Sequence, residues 1–284
     1  MIAVKIEGRL GNQLFQYAFI YAAAKKLKTN FYLDKSVDYL LIDRYFNIEH
    51  DFCYVFDKNV FAIKGYKNIF SHHLRYKFYH LLEKLFRLKT VTFDNSIAHF
   101  KQDEVIKDKL MYQGFFQSEV YFEGFQNEIK YRFTIKDKFK TQFKEIINQT
   151  GMYNKYIVVH IRRGDYFDLD ISLPISYYKE ALSHVANLSM DYVFVSDDPA
   201  FVEREFAFIS NKYVSNHSEI IDLQFLINAD VCILSNSSFS WWGAWLNNKA
   251  NKQVFVPQFW LGFKDGAEYP AGIFNNLTFN EITV

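Results

Sequence analysis

The sequence predicts an α/β protein built on mostly parallel sheets with helices on both faces, and three observations carry that expectation. The chain opens as strand, glycine turn, helix and strand: IAVKI, GRLG, NQLFQYAFIYAAAKKLK and NFYLD. From Gly151 onward, short β-rich runs alternate with segments of helical period, which is the pattern of repeated βα units. Three of those runs lead directly into polar stretches, where ligands bind in parallel sheets.

Taken in order, IAVKI is rich in β-formers, and Leu14, Ala18, Tyr21 and Ala22 recur at helical spacing in the next segment. NFYLD (Asn30–Asp34) completes a βαβ unit. From about Lys35 to Gln149 the pattern weakens: helices are expected over Leu74–Leu88 and Lys136–Asn148, but no order of strands emerges. The polar stretch NQTGMYNK then marks a domain boundary near residue 150, giving domains 1–150 and 151–284. Beyond it come strand YIVVHI, helix SYYKEALSHVANL, strand DYVFVS and helix DPAFVEREFAF, the last opened by Asp and Pro. Strand KYVS, helix SEIIDLQFLINA, strand DVCILS, helix SSFSWWGAWLNN with serine caps and a final strand QVFVP complete the pattern.

Bulk composition narrows the function. Half of the 284 residues are hydrophobic, and 33 Lys and Arg nearly balance 32 Asp and Glu. The balance disfavours a general nucleic-acid or anionic-membrane surface but leaves room for a local basic pocket. Cys53 and Cys232 have no metal-type spacing, so neither a disulfide framework nor a zinc site is expected, and a reduced cytoplasm suits them. Lys5, Glu7 and Arg9 interrupt the first apolar run, so no signal-peptide core is expected, and no stretch approaches the roughly 18 uncharged apolar residues of a membrane span. Asn-x-Ser/Thr triplets at Asn148, Asn187, Asn216, Asn236 and Asn276 read as a consequence of an Asn-rich chain.

The chemistry concentrates in three stretches. HIRRGDYFD (His160–Asp168) comes after a buried strand, where charges are costly unless paired or facing a charged ligand. It is either an ion cluster or a ligand site. Arg162 and Arg163 point to opposite faces; a guanidinium fork suits a diphosphate, while pairing with Asp165 would pin the loop, and each arginine can take one role. SDDP (Ser196–Pro199) is a helix cap, or it offers Asp197 or Asp198 to ribose hydroxyls or the donor edge of guanine. SNSSFSWWGAW places Ser235, Asn236, Ser237 and Ser238 at a helix start, which can bind phosphate or simply cap the helix. Two of Trp241, Trp242 and Trp245 share a helical face, and core packing suits at least one. The absence of a Walker sequence and of G-x-G-x-x-G disfavours P-loop enzymes and ordinary dehydrogenases. Asp168-Leu169-Asp170 matches the metal-binding D-x-D of some glycosyltransferases, a pattern chance also produces.

Together GRLGNQLFQYA, HIRRGDY, VFVSDDP and NSSFSWWGAWL, in that order, resemble the bacterial alpha-1,2-fucosyltransferases. These are relatives of the mammalian blood-group H enzymes and, more distantly, of the alpha-1,6- and protein O-fucosyltransferases. The resemblance touches both ends of the chain and covers most of its second half. It implies a GT-B architecture of two facing Rossmann-like domains, residues 1–150 on the acceptor side and 151–284 binding GDP-L-fucose. It further implies inverting transfer to a galactoside hydroxyl, the 2-hydroxyl of terminal β-galactose, with no cofactor and no obligatory metal. Partners would be GDP-L-fucose and a galactose-terminated glycan, without nucleic acid.

Carried over by residue, Arg162 would bind the β-phosphate and His160 would line the nucleotide pocket. Asp197 or Asp198 would touch the guanosine, Ser237 with Ser238 would cap the diphosphate, and Ser196, Asn236 and Phe239 would also belong to the donor site. Arg163 and Asp165 would brace the loop. Gly8, Gly11, Asn12 and Gln13 would form the acceptor-side turn, with their amides reaching the sugar; Arg9 departs from a second glycine common in relatives. The proton acceptor would be Asp170 or Asp168, unless a loose transition state needs none. Lacking the membrane anchor of the mammalian enzymes, the chain is expected to be a soluble or membrane-peripheral cytoplasmic protein. The alternatives are the same fold with another acceptor or GDP-sugar, and a non-catalytic protein that binds nucleotide sugars or glycans.

Overall fold

Strand β1 (Ile2–Lys5) is almost wholly buried, and its exit at Gly8, with φ 77°, turns the chain into helix α1 (Leu10–Leu27). The structure is a computed structural model, and it describes residues 1–34, 40–48, 88–95, 106–152, 155–274 and 278–284. The expected Leu74–Leu88 helix up to residue 87, together with Cys53 and Asn276, lies outside the described residues. Among those described, two compact units form, Met1–Thr134 and Ile135–Val284.

In the first unit β1 pairs with β2 (Phe31–Asp34) on one side and with β4 (Leu110–Gln113) on the other, and β3 (Lys89–Thr92) completes the order β2-β1-β4-β3. Every pairing is parallel. α1 is apolar nearly all round, buried from Leu10 to Ala24 except at Asn12, as a helix covered on several sides must be. Phe19 anchors it, stacking on Phe116 at 3.8 Å and meeting Tyr112 edge-on at 5.3 Å. Lys28, left-handed at φ 51°, ends the helix. Short helices α2 (Ile42–Tyr45) and α3 (Gln126–Arg132) and a 3-10 turn at Glu119–Phe122 complete the described part of this unit.

The second unit begins earlier than the polar stretch near residue 150 suggested. Helix α4 (Asp137–Thr150) buries Phe143 against Phe225, with ring centroids 5.0 Å apart, and its Phe139 carbonyl accepts from Gln224 Nε2 at 3.1 Å. Those contacts tie α4 to the C-terminal core, so the boundary falls at Thr134/Ile135. The strands are β5 (Tyr156–Ile161), β6 (Asp191–Ser196), β7 (Lys212–Val214), β8 (Val231–Ile233), β9 (Gln253–Pro257) and β10 (Asn280–Ile282). They run parallel in the order β10-β9-β8-β5-β6-β7.

QVFVP is therefore not the last strand. Three-residue β10, mostly exposed, has too little apolar pattern to be read from sequence. The chain winds outward from β5 to β7, crosses over, and winds outward again from β8, the doubly wound order of nucleotide-binding sheets. Its switch point lies between β5 and β8, where the carboxyl ends open a crevice.

Between these strands run α5 (Gly164–Asp168), α6 (Ile175–Ser183), α7 (Pro199–Glu205), α8 (Glu219–Asn228) and α9 (Ser238–Leu246). Trp241, Trp242 and Trp245 are all buried, with Trp241 stacked on Trp245 at 6.1 Å and its Nε1–H donating to Ile273 O at 3.0 Å. Core packing claims the whole trio. α9 lies so close to α8 that a Cβ at Gly243 would sit 2.4 Å from Leu226 Cβ. Gly243→Ala should cost about 1–3 kcal/mol through overpacking, read as a lower denaturation midpoint with the m-value unchanged.

Candidate active site

The crevice between β5 and β8 is lined by the turns at the carboxyl ends of those two strands. β5 ends on His160 and Ile161, and Arg162 emerges at once; beyond β8 come Leu234 and then Ser235. Across the gap His160 Nδ1 and Ser235 Oγ share a hydrogen bond of 2.8 Å, and the imidazole rests against Phe239 with centroids 5.5 Å apart. Burial, then the Arg162 charge, push His160 down to about 3. The ring is neutral at working pH and offers one donor and one acceptor, not a charge.

Arg162, only 14% exposed, is held on two sides. One Nη donates to Asp165 Oδ1 at 2.5 Å and the other pairs with Asp197 Oδ2 at 2.8 Å. Arg163 turns the other way: Nε meets Asp198 Oδ2 at 3.2 Å and the guanidinium lies 3.8 Å over the Phe201 ring. Its backbone N–H donates to Asp197 Oδ1 at 2.8 Å. Gly164 makes the turn tight, since a Cβ there would lie 2.7 Å from Asp197 Oδ2.

This cluster is an ion network in its own right. Two arginines against three aspartates (+2 − 3) leave a formal charge of −1. Asp197 and Asp198 are engaged at all four carboxylate oxygens, because Asp198 Oδ1 also caps α7 by accepting from Phe201 N–H at 3.0 Å, and the Ser196 hydroxyl accepts from Asp198 N–H at 3.0 Å. The SDDP stretch thus braces the arginines and caps a helix. The Arg162 fork retains donors beyond its two bonds.

Beside it lies the start of α9. Ser235, Asn236 and Ser237 are buried, and Ser237 caps the helix by accepting from Phe239 N–H at 3.4 Å. Ser238 opens the helix itself. Asn236 Nδ2 donates to Ile171 O at 2.9 Å, yet its Oδ1 is buried without a partner among the described residues. An orphaned buried acceptor costs about 1–3 kcal/mol, so a donor from outside the described residues is called for. Tyr166, on α5, donates its hydroxyl to Asn236 O at 3.4 Å and so ties the arginine turn to the serine turn.

Two expected residues stand apart from this network. Asp170, left-handed at φ 57°, is 93% exposed and pairs with Lys264 Nζ at 2.6 Å; Asp168 is exposed at the end of α5. Among the described residues no group of three or more His, Cys, Asp or Glu is placed to hold a metal ion.

On the acceptor-side turn of the first unit, Gln13 is fully buried, donating to Gly8 O at 3.1 Å and accepting from Leu41 N–H at 2.8 Å. Its amide fixes the backbone of the turn. Gly11 is buried in the first turn of α1, and Asn12 Oδ1 accepts from Gln117 Nε2 at 2.8 Å. Gln16, which no sequence pattern singled out, is likewise fully buried and joins Glu7 N–H to Gly114 O at 3.1 and 3.0 Å.

Another missed group is Asp222, at the start of α8 beyond the carboxyl end of β7. Ser215 Oγ donates to its Oδ1 at 2.5 Å, while Oδ2 has no protein partner among the described residues. Burial raises its carboxyl to about 7, against the hydrogen bond from Ser215 and with a smaller push from Glu219. In sequence it looks like one more acidic residue of a helix's first turn.

A sequence profile of glycosyl transferase family 11 matches residues 1–260. The chain belongs to glycosyl transferase family 11. An O-antigen biosynthesis glycosyltransferase of Escherichia coli, WbnK, is 29% identical to this family 11 protein across 90% of the chain and 93% of its own length. An alpha-1,2-colitosyltransferase of the same species is 26% identical, covering 92% of each. Among solved structures, the alpha-1,6-fucosyltransferase NodZ co-crystallised with GDP aligns with a TM-score of 0.54 at 11% identity, over 86% of this chain and 91% of its own. POFUT1 in complex with GDP-fucose aligns at 0.54 and 11%, over 90% and 97%. These likenesses give the family 11 protein the GT-B fold, with α/β units and parallel sheets. No helix among its described residues is long and apolar enough to cross a membrane.

Proposed function

We propose that this family 11 transferase moves L-fucose from GDP-β-L-fucose to a galactoside, inverting at the anomeric carbon and forming an alpha-1,2 linkage to terminal β-galactose. The observation that carries the donor side is Arg162 on the turn that Tyr166 ties to the α9 N-terminus, where Asn236 Oδ1 is orphaned and a neutral His160 bonds Ser235. A guanidinium and a helix N-terminus both stabilise the charge that develops on a departing diphosphate. On this reading the two together take the role of a metal ion, so activity is expected to survive EDTA.

The guanine end needs a carboxylate with a free oxygen. Since Asp197 and Asp198 are engaged, Asp222 is the candidate, its Oδ2 without a protein partner among the described residues and able to accept from an N–H of the base edge. The proton acceptor is not supplied by the arginine turn. Asp170 is paired with Lys264 and Asp168 lies outside the ion network. This favours a loose, oxocarbenium-like transition state in which the acceptor proton leaves late, to solvent. Asp168→Asn and Asp170→Asn should each keep transfer within about tenfold, because a true general base is worth about 10²–10⁴-fold. A loss of that larger size in either variant would restore it as the base.

A second donor is favoured by the relative named as an alpha-1,2-colitosyltransferase. Both readings are tested by incubating the purified chain with lactose and either GDP-fucose or GDP-colitose, with EDTA present, and weighing the product. A fucosylated trisaccharide supports the first reading, a colitosylated one the second. Release of free sugar alone refutes the acceptor, and neither GDP-sugar binding refutes the donor class.

A further inference from the structure

The first unit carries a polar centre that the donor reading does not use. Its sheet has a switch point of its own, because β2 pairs on one side of β1 and β4 on the other. There Glu7 lies just beyond β1 and Gln113 ends β4. Glu7 Oε1 accepts from Gln113 Nε2 at 3.0 Å and pairs with Lys5 Nζ at 3.1 Å, while Oε2 has no protein partner among the described residues. The Glu7 side chain is 23% exposed, so that free oxygen is reachable from solvent.

The backbone beneath it is clamped. Fully buried Gln16 holds the Glu7 N–H with its oxygen and the Gly114 carbonyl with its nitrogen, so one amide fixes both strand exits. Gln13 holds the next carbonyl, at Gly8. Burying two primary amides is costly unless every polar atom is satisfied. An ion pair such as Lys5–Glu7, as accessible as this, contributes little stability. A rigid frame built around an accessible carboxylate is what a preorganised binding group requires.

We propose that Glu7 is a sugar-binding residue, whose Oε2 accepts hydrogen bonds from hydroxyls of a neutral hexopyranoside. Lys5 and Gln113 hold the other oxygen and fix the carboxylate plane. Lys5 balances the charge of Glu7, and Gln113 and Gln16 supply only amides, so the centre suits an uncharged polyol, whose hydroxyls donate to Glu7 Oε2. The inference rests on the transferase reading, with the hexopyranoside as the acceptor.

Glu7→Gln keeps the shape and removes the charge. In the transfer assay with lactose, KM for lactose should rise about tenfold or more while kcat changes less, with GDP affinity by calorimetry and the unfolding midpoint unchanged. An unchanged KM, a loss confined to kcat, or a fall in GDP affinity or midpoint overturns the assignment. Should the chain transfer no sugar at all, saturation-transfer NMR with a panel of neutral galactosides, glucosides and mannosides still decides. Signals present with the parent and lost in Glu7→Gln support it. Equal signals in both, or none with the parent, overturn it. If the Gln variant fails to fold, Glu7→Ala is read in the same assays.

Discussion

Arg162→Ala is expected to lower kcat/KM for transfer by about 10²–10³-fold, while Arg163→Ala leaves GDP affinity close to the parent's. The two residues are neighbours in sequence but not in role. Arg162 is held by Asp165 and Asp197 beside the serine turn and keeps donors for a ligand; Arg163 is committed to Asp198 and the Phe201 ring. Losing Arg163 should instead cost stability, about 1–2 kcal/mol for the ring contact and the half-buried pair together. GDP calorimetry and denaturant midpoints on both variants separate the two outcomes. If Arg163→Ala loses GDP as completely as Arg162→Ala, the division between phosphate contact and brace is wrong.

The second large effect concerns Asp222. Its carboxyl titrates near 7 in the fold against 3.8 ordinarily, because burial disfavours the charged form. Between those values the folded chain holds a proton that the unfolded chain has lost. The group's contribution is therefore fully present below the lower value and is lost as pH rises through the upper one. Between about pH 4 and pH 8 the parent should lose on the order of 2–4 kcal/mol through this group. Asp222→Asn, which keeps an acceptor for Ser215, should remove that slope and unfold later at pH 8. It should also bind GDP more weakly if Oδ2 faces the guanine edge. A variant less stable than the parent at pH 8 would show that the carboxylate is held ionised by contacts the geometry does not reveal. Retaining a destabilising acid suggests function over stability.

The legible part of the fold is the part with period. Every strand from YIVVHI to QVFVP and every helix between them except α5 is an apolar run or a helical repeat bounded by caps, and the structure forms each within a few residues. Strands β3 and β4 were not legible, because KTVT is largely exposed and LMYQ half-buried, so neither shows alternation or a long apolar run. β10 failed for the same reason.

In the site, sequence order brought the right stretches forward, since strand ends are where charge is hard to justify structurally. It could not say which carboxylates would be engaged. Asp197 and Asp198 look available in SDDP, and only the geometry shows Arg162, Arg163 and a helix cap closing on them. Glu7, Gln16 and Asp222 were missed because each depends on a partner distant in sequence or on burial, neither of which leaves a local pattern.

The placement of α4 bears on how this chain can be recombined with its homologues. A crossover at residue 150 would take α4 from one parent and its seat on α8 from another, leaving Phe143 to meet a foreign residue in place of Phe225. A crossover between Thr134 and Ile135 keeps that pair together, because Phe143 and Phe225 both lie in Ile135–Val284. Chimeras that exchange one half for a homologue's should be spliced there, and the natural module to inherit whole is Ile135–Val284.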